Sequence, residues 1–141
     1  YCKSVFNTLL ELIEEDKNIK LFLIELPVFS GSEEISRLAL ASKYQNSYNK
    51  LHKRLMTFNG RLNKTSLLKI AESIDININQ LINDSSKQEI INTLNTNKRI
   101  ANNFGLSGTP SFIIGKNIIP GAIKKNQFIK IIQNIREKNK L

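Results

Sequence analysis

The sequence predicts an α/β fold, and three observations carry the prediction. Apolar residues recur at helical spacing over residues 3–15, and a continuous apolar stretch follows at 19–26. Past Gly105 the apolar pattern changes from a helical period to short strand-like runs. The order read from them is helix, buried strand, helical block, hairpin, helix.

In the first helix, Val5, Phe6, Leu9, Leu10, Leu12 and Ile13 share one face, with Glu11, Glu14 and Glu15 mostly opposite. Asp16-Lys17-Asn18 ends it. Ile19 to Leu26 is too short and too evenly apolar for an amphipathic helix. It reads as a strand buried on both faces, the kind found in parallel sheets, and Pro27 stops it.

A helical block then occupies about residues 31–104. Ser30 followed by Glu33 predicts a capping box at its start. Tyr44, Tyr48, Leu51 and Leu55 form an apolar stripe, and Asn59-Gly60 breaks the chain. Leu67, Leu68, Ala71 and Ile74 predict a short helix after Thr65. A longer one is expected from Ser86 to Phe104, carrying Ile90, Ile91, Leu94, Ala101 and Phe104. Gly105 stands where a left-handed C-terminal cap belongs, with Leu106 as its hydrophobic follower.

Ser111 to Ile114 and Asn117 to Ile119 flank Gly115-Lys116 and predict a β-hairpin, followed by a turn at Pro120-Gly121. Phe128, Ile131, Ile132 and Ile135 give the last helix an inward face, and its other side reads as strongly basic. A strand buried on both faces calls for a parallel neighbour reached through a helical crossover. Helix 3–15 is such a crossover, and the strand that should precede it is not in the sequence. The chain also begins at Tyr1-Cys2 without methionine. The expectation is one domain over residues 1–141, cut just before Tyr1 and lacking its first central strand. Any export signal then lies further upstream.

A chain of 141 residues is long enough for a core without disulfide staples or a structural metal. A single cysteine excludes an internal disulfide framework and a Cys-based zinc site, and no metal or cofactor is expected. No apolar run exceeds the four residues Leu21 to Ile24, far short of the ~20 that span a bilayer, so no stable membrane insertion is expected. The formal charge of +9 is spread evenly, +4 over residues 1–70 and +5 over the rest. The chain has 16 Lys, 18 Asn and 21 Ile against 5 Ala, a bias shared by A/T-rich codons. Only 5 of its 21 basic residues are Arg, and the even spread is unlike the focused patch of a nucleic-acid binder. No nucleic acid is expected as a partner.

Two places carry chemistry. Cys2 opens the first helix, where free backbone N–H groups and the helix dipole stabilise a thiolate. Gly108-Thr109-Pro110 lies between a helix end and a strand, where a proline is ordinarily a boundary feature.

Taken together, these segments resemble the DsbA-like branch of the thioredoxin superfamily, the bacterial exported thiol-disulfide oxidoreductases. Tyr1-Cys2-Lys3 is similar to the second half of that family's Cys-x-x-Cys motif. Glu25-Leu26-Pro27, followed by Gly31, matches its strand-ending segment. Tyr48, Leu51-His52 and Leu55-Met56 echo its helical-block pattern, with Leu51 in place of the usual aromatic. The run from Gly108 to Gly115, then Ile119-Pro120-Gly121-Ala122, is the most specific part.

The resemblance implies a thioredoxin-like fold with a helical insertion. It implies thiol-disulfide exchange on cysteine-containing exported proteins, with a redox partner protein and a periplasmic or otherwise exported compartment. The family's nucleophilic cysteine would stand two positions before Tyr1, which makes Cys2 the resolving thiol. Thr109 and Pro110, with a cis bond between them, would lie beside the cysteines and present backbone to an extended substrate, flanked by Tyr1. Glu25 is a candidate proton relay to Cys2, and His52 reads as a packing or hydrogen-bonding residue. Whether the pair oxidises, reduces or isomerises is set by the residues between the cysteines, of which Tyr1 is present. Two alternatives accompany this reading. One is a thioredoxin-fold protein-binding or chaperone module without redox turnover. The other is a glutathione-using relative, whose lack of a cysteine at this position argues against it.

Overall fold

The computed structural model describes residues 1–140. The chain divides into two compact units, Tyr1–Leu23 with the segment from Phe104 onward, and Ile24–Asn103.

The first unit contains α1 (Cys2–Glu15), β1 (Ser111–Ile114), β2 (Asn117–Pro120) and α7 (Lys125–Lys138). The helical period of α1 buries Val5, Phe6 and Leu12, and that of α7 buries Phe128. Val5, Leu12 and Phe128 form the core, with Leu9, Ile19, Phe112, Ile114 and Ile123 packed against them. Phe112 meets Phe128 edge-on at a ring separation of 4.9 Å, a favourable aromatic geometry.

β1 and β2 pair antiparallel, Ser111 with Pro120, Phe112 with Ile119, Ile113 with Ile118 and Ile114 with Asn117. The Gly121 amide donates to the Pro110 carbonyl at 2.9 Å, one step beyond the last pair. Antiparallel pairs alternate between bonded and non-bonded, so Ser111–Pro120 is a non-bonded pair. The missing proline N–H therefore costs no ladder bond, and the strand runs through Pro120 where the sequence placed a turn. Gly115 turns the hairpin at φ +59, and a Cβ there would meet Ile135 Cδ1 at 3.1 Å.

Charge ties both ends of α7 to the C-terminal end of α1. Lys125 bridges Glu11 and Glu15 at 2.9 and 2.7 Å, and both carboxylates hold the Lys125 ammonium above its ordinary range. Arg136 grips Asp16 with both guanidinium nitrogens, at 2.6 and 3.2 Å, and holds its carboxyl below the usual range. These pairs revise the expected basic side of α7. Two of its cations are spent on α1, and the exposed face is largely amide, with Asn126, Gln127, Gln133 and Asn134 beside Lys130 and Lys138.

The strand expected at 19–26 is also revised. Residues 19–26 form no ladder with any described residue, and exposure alternates along them, leaving Phe22 at 69% and Ile24 at 58%. An extended run needs hydrogen-bonded neighbours to be buried on both faces, and among the described residues it has none.

The second unit is all helix: α2 (Ser32–Ala41), a 3₁₀ turn at Ser42–Gln45, α3 (Tyr48–Thr57), α4 (Lys64–Glu72), α5 (Ile78–Ser85) and α6 (Gln88–Asn103). Its core joins Leu38, Ala39 and Ala41 to Leu51, Leu55, Leu67, Ala71, Ile74, Ile76 and Leu81. Four details differ from expectation. The N-cap of α2 is Gly31 at φ +79, while Ser32 takes over the local bonding by accepting from the Phe29 amide and donating to its carbonyl. Tyr44 sits in the 3₁₀ turn rather than in the stripe of α3. α5 was not foreseen; it opens at Asn77, whose side chain accepts from the Gln80 amide. α6 ends at Asn103, so Phe104 lies beyond it, 45% exposed, and Gly105 takes the left-handed φ of +66. No helix among the described residues is long and apolar enough to cross a membrane.

Candidate functional site

Cys2 is the first residue of α1, half-buried and free. Tyr1 is the N-cap and supplies no side-chain hydrogen bond to the first turn; its ring is exposed. Its carbonyl accepts from the Val5 amide at 3.2 Å and from Ser4 Oγ at 2.7 Å. The first-turn amides of α1 thus have no capping side chain, and the thiol stands at the positive end of a fourteen-residue helix. Val5, one turn on, is buried in the core with Leu12 and Phe128, which fixes the helix that carries the thiol.

The Thr109–Pro110 peptide bond is cis. Its flanks are tied down. Ser111 Oγ donates to the Gly108 carbonyl at 2.7 Å, and the Gly121 amide donates to the Pro110 carbonyl at 2.9 Å. Thr109, between these ties, makes no hydrogen bond to any other described residue. Among the described residues its N–H and C=O have no partner. β1 carries Pro110 directly into the core through Phe112, so the loop hangs on a fixed strand.

Glu25 belongs to the helical unit and is heavily bonded within it. Its Oε1 accepts from the Tyr48 hydroxyl at 2.8 Å and lies 3.3 Å from His52 Nδ1, while Oε2 accepts from Ser36 Oγ at 3.4 Å. Its backbone carbonyl accepts from Asn97 Nδ2 at 2.9 Å. One residue thereby ties α2, α3 and α6. Burial and the Glu25 charge push the Tyr48 phenol well above its ordinary range. Sequence reasoning named Glu25 and His52 but not this node, because Ser36 and Asn97 carry no motif of their own. No group of three His, Cys, Asp or Glu residues that could hold a metal ion occurs among the described residues.

Comparison with known proteins gives this geometry a family. The model of the DSBA-like thioredoxin domain matches residues 1–133, and the chain belongs to that family. Its fold is thioredoxin-like, mostly helical with a small two-stranded sheet. A thioredoxin-like oxidoreductase from Silicibacter pomeroyi DSS-3 superposes with a TM-score of 0.93 at 29% identity, over 97% of this chain and 80% of that one. The thiol-disulfide exchange protein alpha-DsbA2 from Wolbachia pipientis gives 0.83 at 27%, over 95% and 74%. The catalytic domain of Proteus mirabilis ScsC gives 0.80 at 25%, over 95% and 75%. A search of curated protein sequences returned no match. Members of the DsbA-like family generally act as thiol-disulfide oxidoreductases.

Proposed function

We propose that this chain carries the resolving half of a thiol-disulfide exchange site that acts on cysteines of exported proteins. The observation that carries the proposal is the place of Cys2, the sole cysteine, at the uncapped N-terminus of α1 in a chain of this family. Thr109 supports it, with its free N–H and C=O available to an extended segment as in strand addition. Pro110 and Tyr1 flank the bound segment.

The chemistry is disulfide exchange. The family's nucleophilic cysteine, two positions before Tyr1, holds the substrate as a mixed disulfide. The Cys2 thiolate attacks the enzyme sulfur of that bond. A Cys2 S–S bond forms, the substrate sulfur leaves as a thiolate with the bonding electron pair, and the protein is oxidised as the substrate is reduced. Run in reverse, the same steps oxidise the substrate. A redox partner protein resets the pair. An exported, oxidising compartment such as the periplasm suits this chemistry, because substrate disulfides persist there.

The test uses the chain as it stands. Cys2, offered a cysteine peptide activated as a mixed disulfide with a chromophoric thiol, is expected to release that thiol and retain the peptide. Cys2→Ser is expected to do neither. A Cys2 that reacts no faster than free cysteine would remove the proposal.

A second reading is a protein-binding module without redox turnover. The exposed apolar side chains Phe22, Ile113 and Ile118 of the first unit favour it. Under that reading Cys2→Ser binds unfolded protein as well as the parent does.

A further inference from the structure

The proposed site uses Thr109 as its peptide-binding backbone, yet Thr109 itself is held by nothing but its neighbours. On the downstream side the Pro110 carbonyl is bound by the Gly121 amide at 2.9 Å, a bond any residue at position 121 with a free amide can supply. On the upstream side the Gly108 carbonyl is bound by a side chain, Ser111 Oγ, at 2.7 Å. Ser111 is itself fixed. It is the first residue of β1 and stands opposite Pro120, and the next residue, Phe112, lies against the core residue Phe128. A hydroxyl on a rigid strand thus closes a four-residue loop around Thr109, with Gly108 and Pro110 held and the residue between them open. Ser111 is half-buried, and this is its one side-chain hydrogen bond among the described residues.

We propose that Ser111 is a positioning residue for substrate binding: by holding the Gly108 carbonyl, its hydroxyl keeps the Thr109 N–H and C=O in the register an extended peptide needs. This rests on the exchange function proposed above and adds to it a residue outside both the thiol motif and the proline dipeptide. Freed of the Ser111 bond, Gly108 has no side chain to restrict it and lets Thr109 rotate. The peptide then has to order the loop as it binds, while the thiol chemistry at Cys2 is untouched.

The distinction is measurable on residues 1–141, because Cys2 is their sole thiol. Two electrophiles are compared: an extended cysteine peptide activated as a mixed disulfide, and a small disulfide that has no backbone to pair, hydroxyethyl disulfide. In each reaction the Cys2 thiolate attacks one sulfur, a new S–S bond forms and the other sulfur leaves as a thiolate.

For Ser111→Ala the half-saturating peptide concentration is expected to rise about fivefold, the scale of one lost hydrogen bond. The limiting rate and the small-disulfide rate are expected to stay at parental values. Ser111→Thr, which keeps the hydroxyl, is expected to restore peptide binding, and Ser111→Val, its isostere without the hydroxyl, is expected not to. The Thr and Val pair decides the matter if Ser111→Ala does not fold.

Unchanged half-saturation in both Ser111→Ala and Ser111→Val overturns the inference, and so does an equal loss toward both electrophiles. A parent chain that reacts with both electrophiles but shows no saturation with peptide overturns peptide binding at Thr109 and the Ser111 role with it. A parent Cys2 that reacts with neither overturns the exchange function itself.

Discussion

Glu25 gathers bonds from residues 11, 23, 27 and 72 positions away, and that reach is why its role was only half legible in the sequence. A motif marked the residue, but the node is made by Ser36, Tyr48, His52 and Asn97 arriving from three helices. The helix start at Cys2 and the cis bond of Thr109-Pro110 were legible for the opposite reason. Their geometry is local, set by a helix start and by a run of eight neighbouring residues. Glu25→Gln separates two roles. The relay expected from the sequence requires the variant to slow peptide exchange. As an anchor, it is worth the bonds it accepts, and the variant costs about 1–3 kcal/mol in urea unfolding. An unchanged exchange profile with that loss of stability would leave the anchor alone. The alkaline limb serves as an internal control. Burial is the first cause of the raised Tyr48 phenol, ahead of the Glu25 charge. A raised folded value means that Tyr48 contributes stability in full below the ordinary phenol value of 10.0, and that this is lost as pH rises beyond it. In Glu25→Gln the part of that loss caused by burial is expected to persist, and the part caused by the Glu25 charge and hydrogen bond to go.

The elements divide by how far apart their partners lie in sequence. Helices α1, α4, α6 and α7 were legible because each repeats its own apolar period, and the hairpin because its turn and both strands fit within ten residues, Ser111 to Pro120. The stretch at 19–26 was not, since strand character depends on a ladder partner supplied by another part of a chain. Apolar content alone predicts burial without saying which neighbour provides it. α5 escaped notice because Asn77 and Asn79 interrupt its short apolar pattern, although Asn77 is itself the cap that starts it. The hairpin offers the sharpest test at this scale. Gly115 combines φ +59 with the approach of Ile135 Cδ1 to 3.1 Å of a would-be Cβ. Gly115→Ala is expected to cost about 1–2 kcal/mol, the penalty of a left-handed L-residue, because the Ile135 side chain can give by a few tenths of an ångström. Chemical denaturation measures it, and a neutral result would mean that the turn relaxes to another type.

At the scale of the molecule the two units are unequally provided. The helical unit 24–103 closes on ten buried apolar side chains in one cluster, among them Leu51, Leu67 and Leu81 with no exposed surface. Among the described residues of the unit that carries Cys2 and Thr109, four apolar side chains are buried, Val5, Phe6, Leu12 and Phe128, while Phe22, Ile113 and Ile118 are exposed. Each fully buried aliphatic side chain contributes on the order of 1.5–3 kcal/mol from removal of apolar surface, so the difference exceeds anything the surface ion pairs of α1 and α7 can offset. Opening is therefore expected unit by unit. In native-state hydrogen exchange, the amides of Leu67, Ala71 and Leu81 are expected to outlast those of Phe112, Ile114 and Phe128, with the gap closing as denaturant is added. Equal protection across both sets would make the chain one cooperative body and would remove the argument. The arrangement has a functional side. Exchange chemistry needs a thiol and a backbone segment that admit an extended peptide, and such elements are drawn from the less protected part of a fold. The hydroxyl of Ser111 then holds one loop in register inside the less buried of the two units.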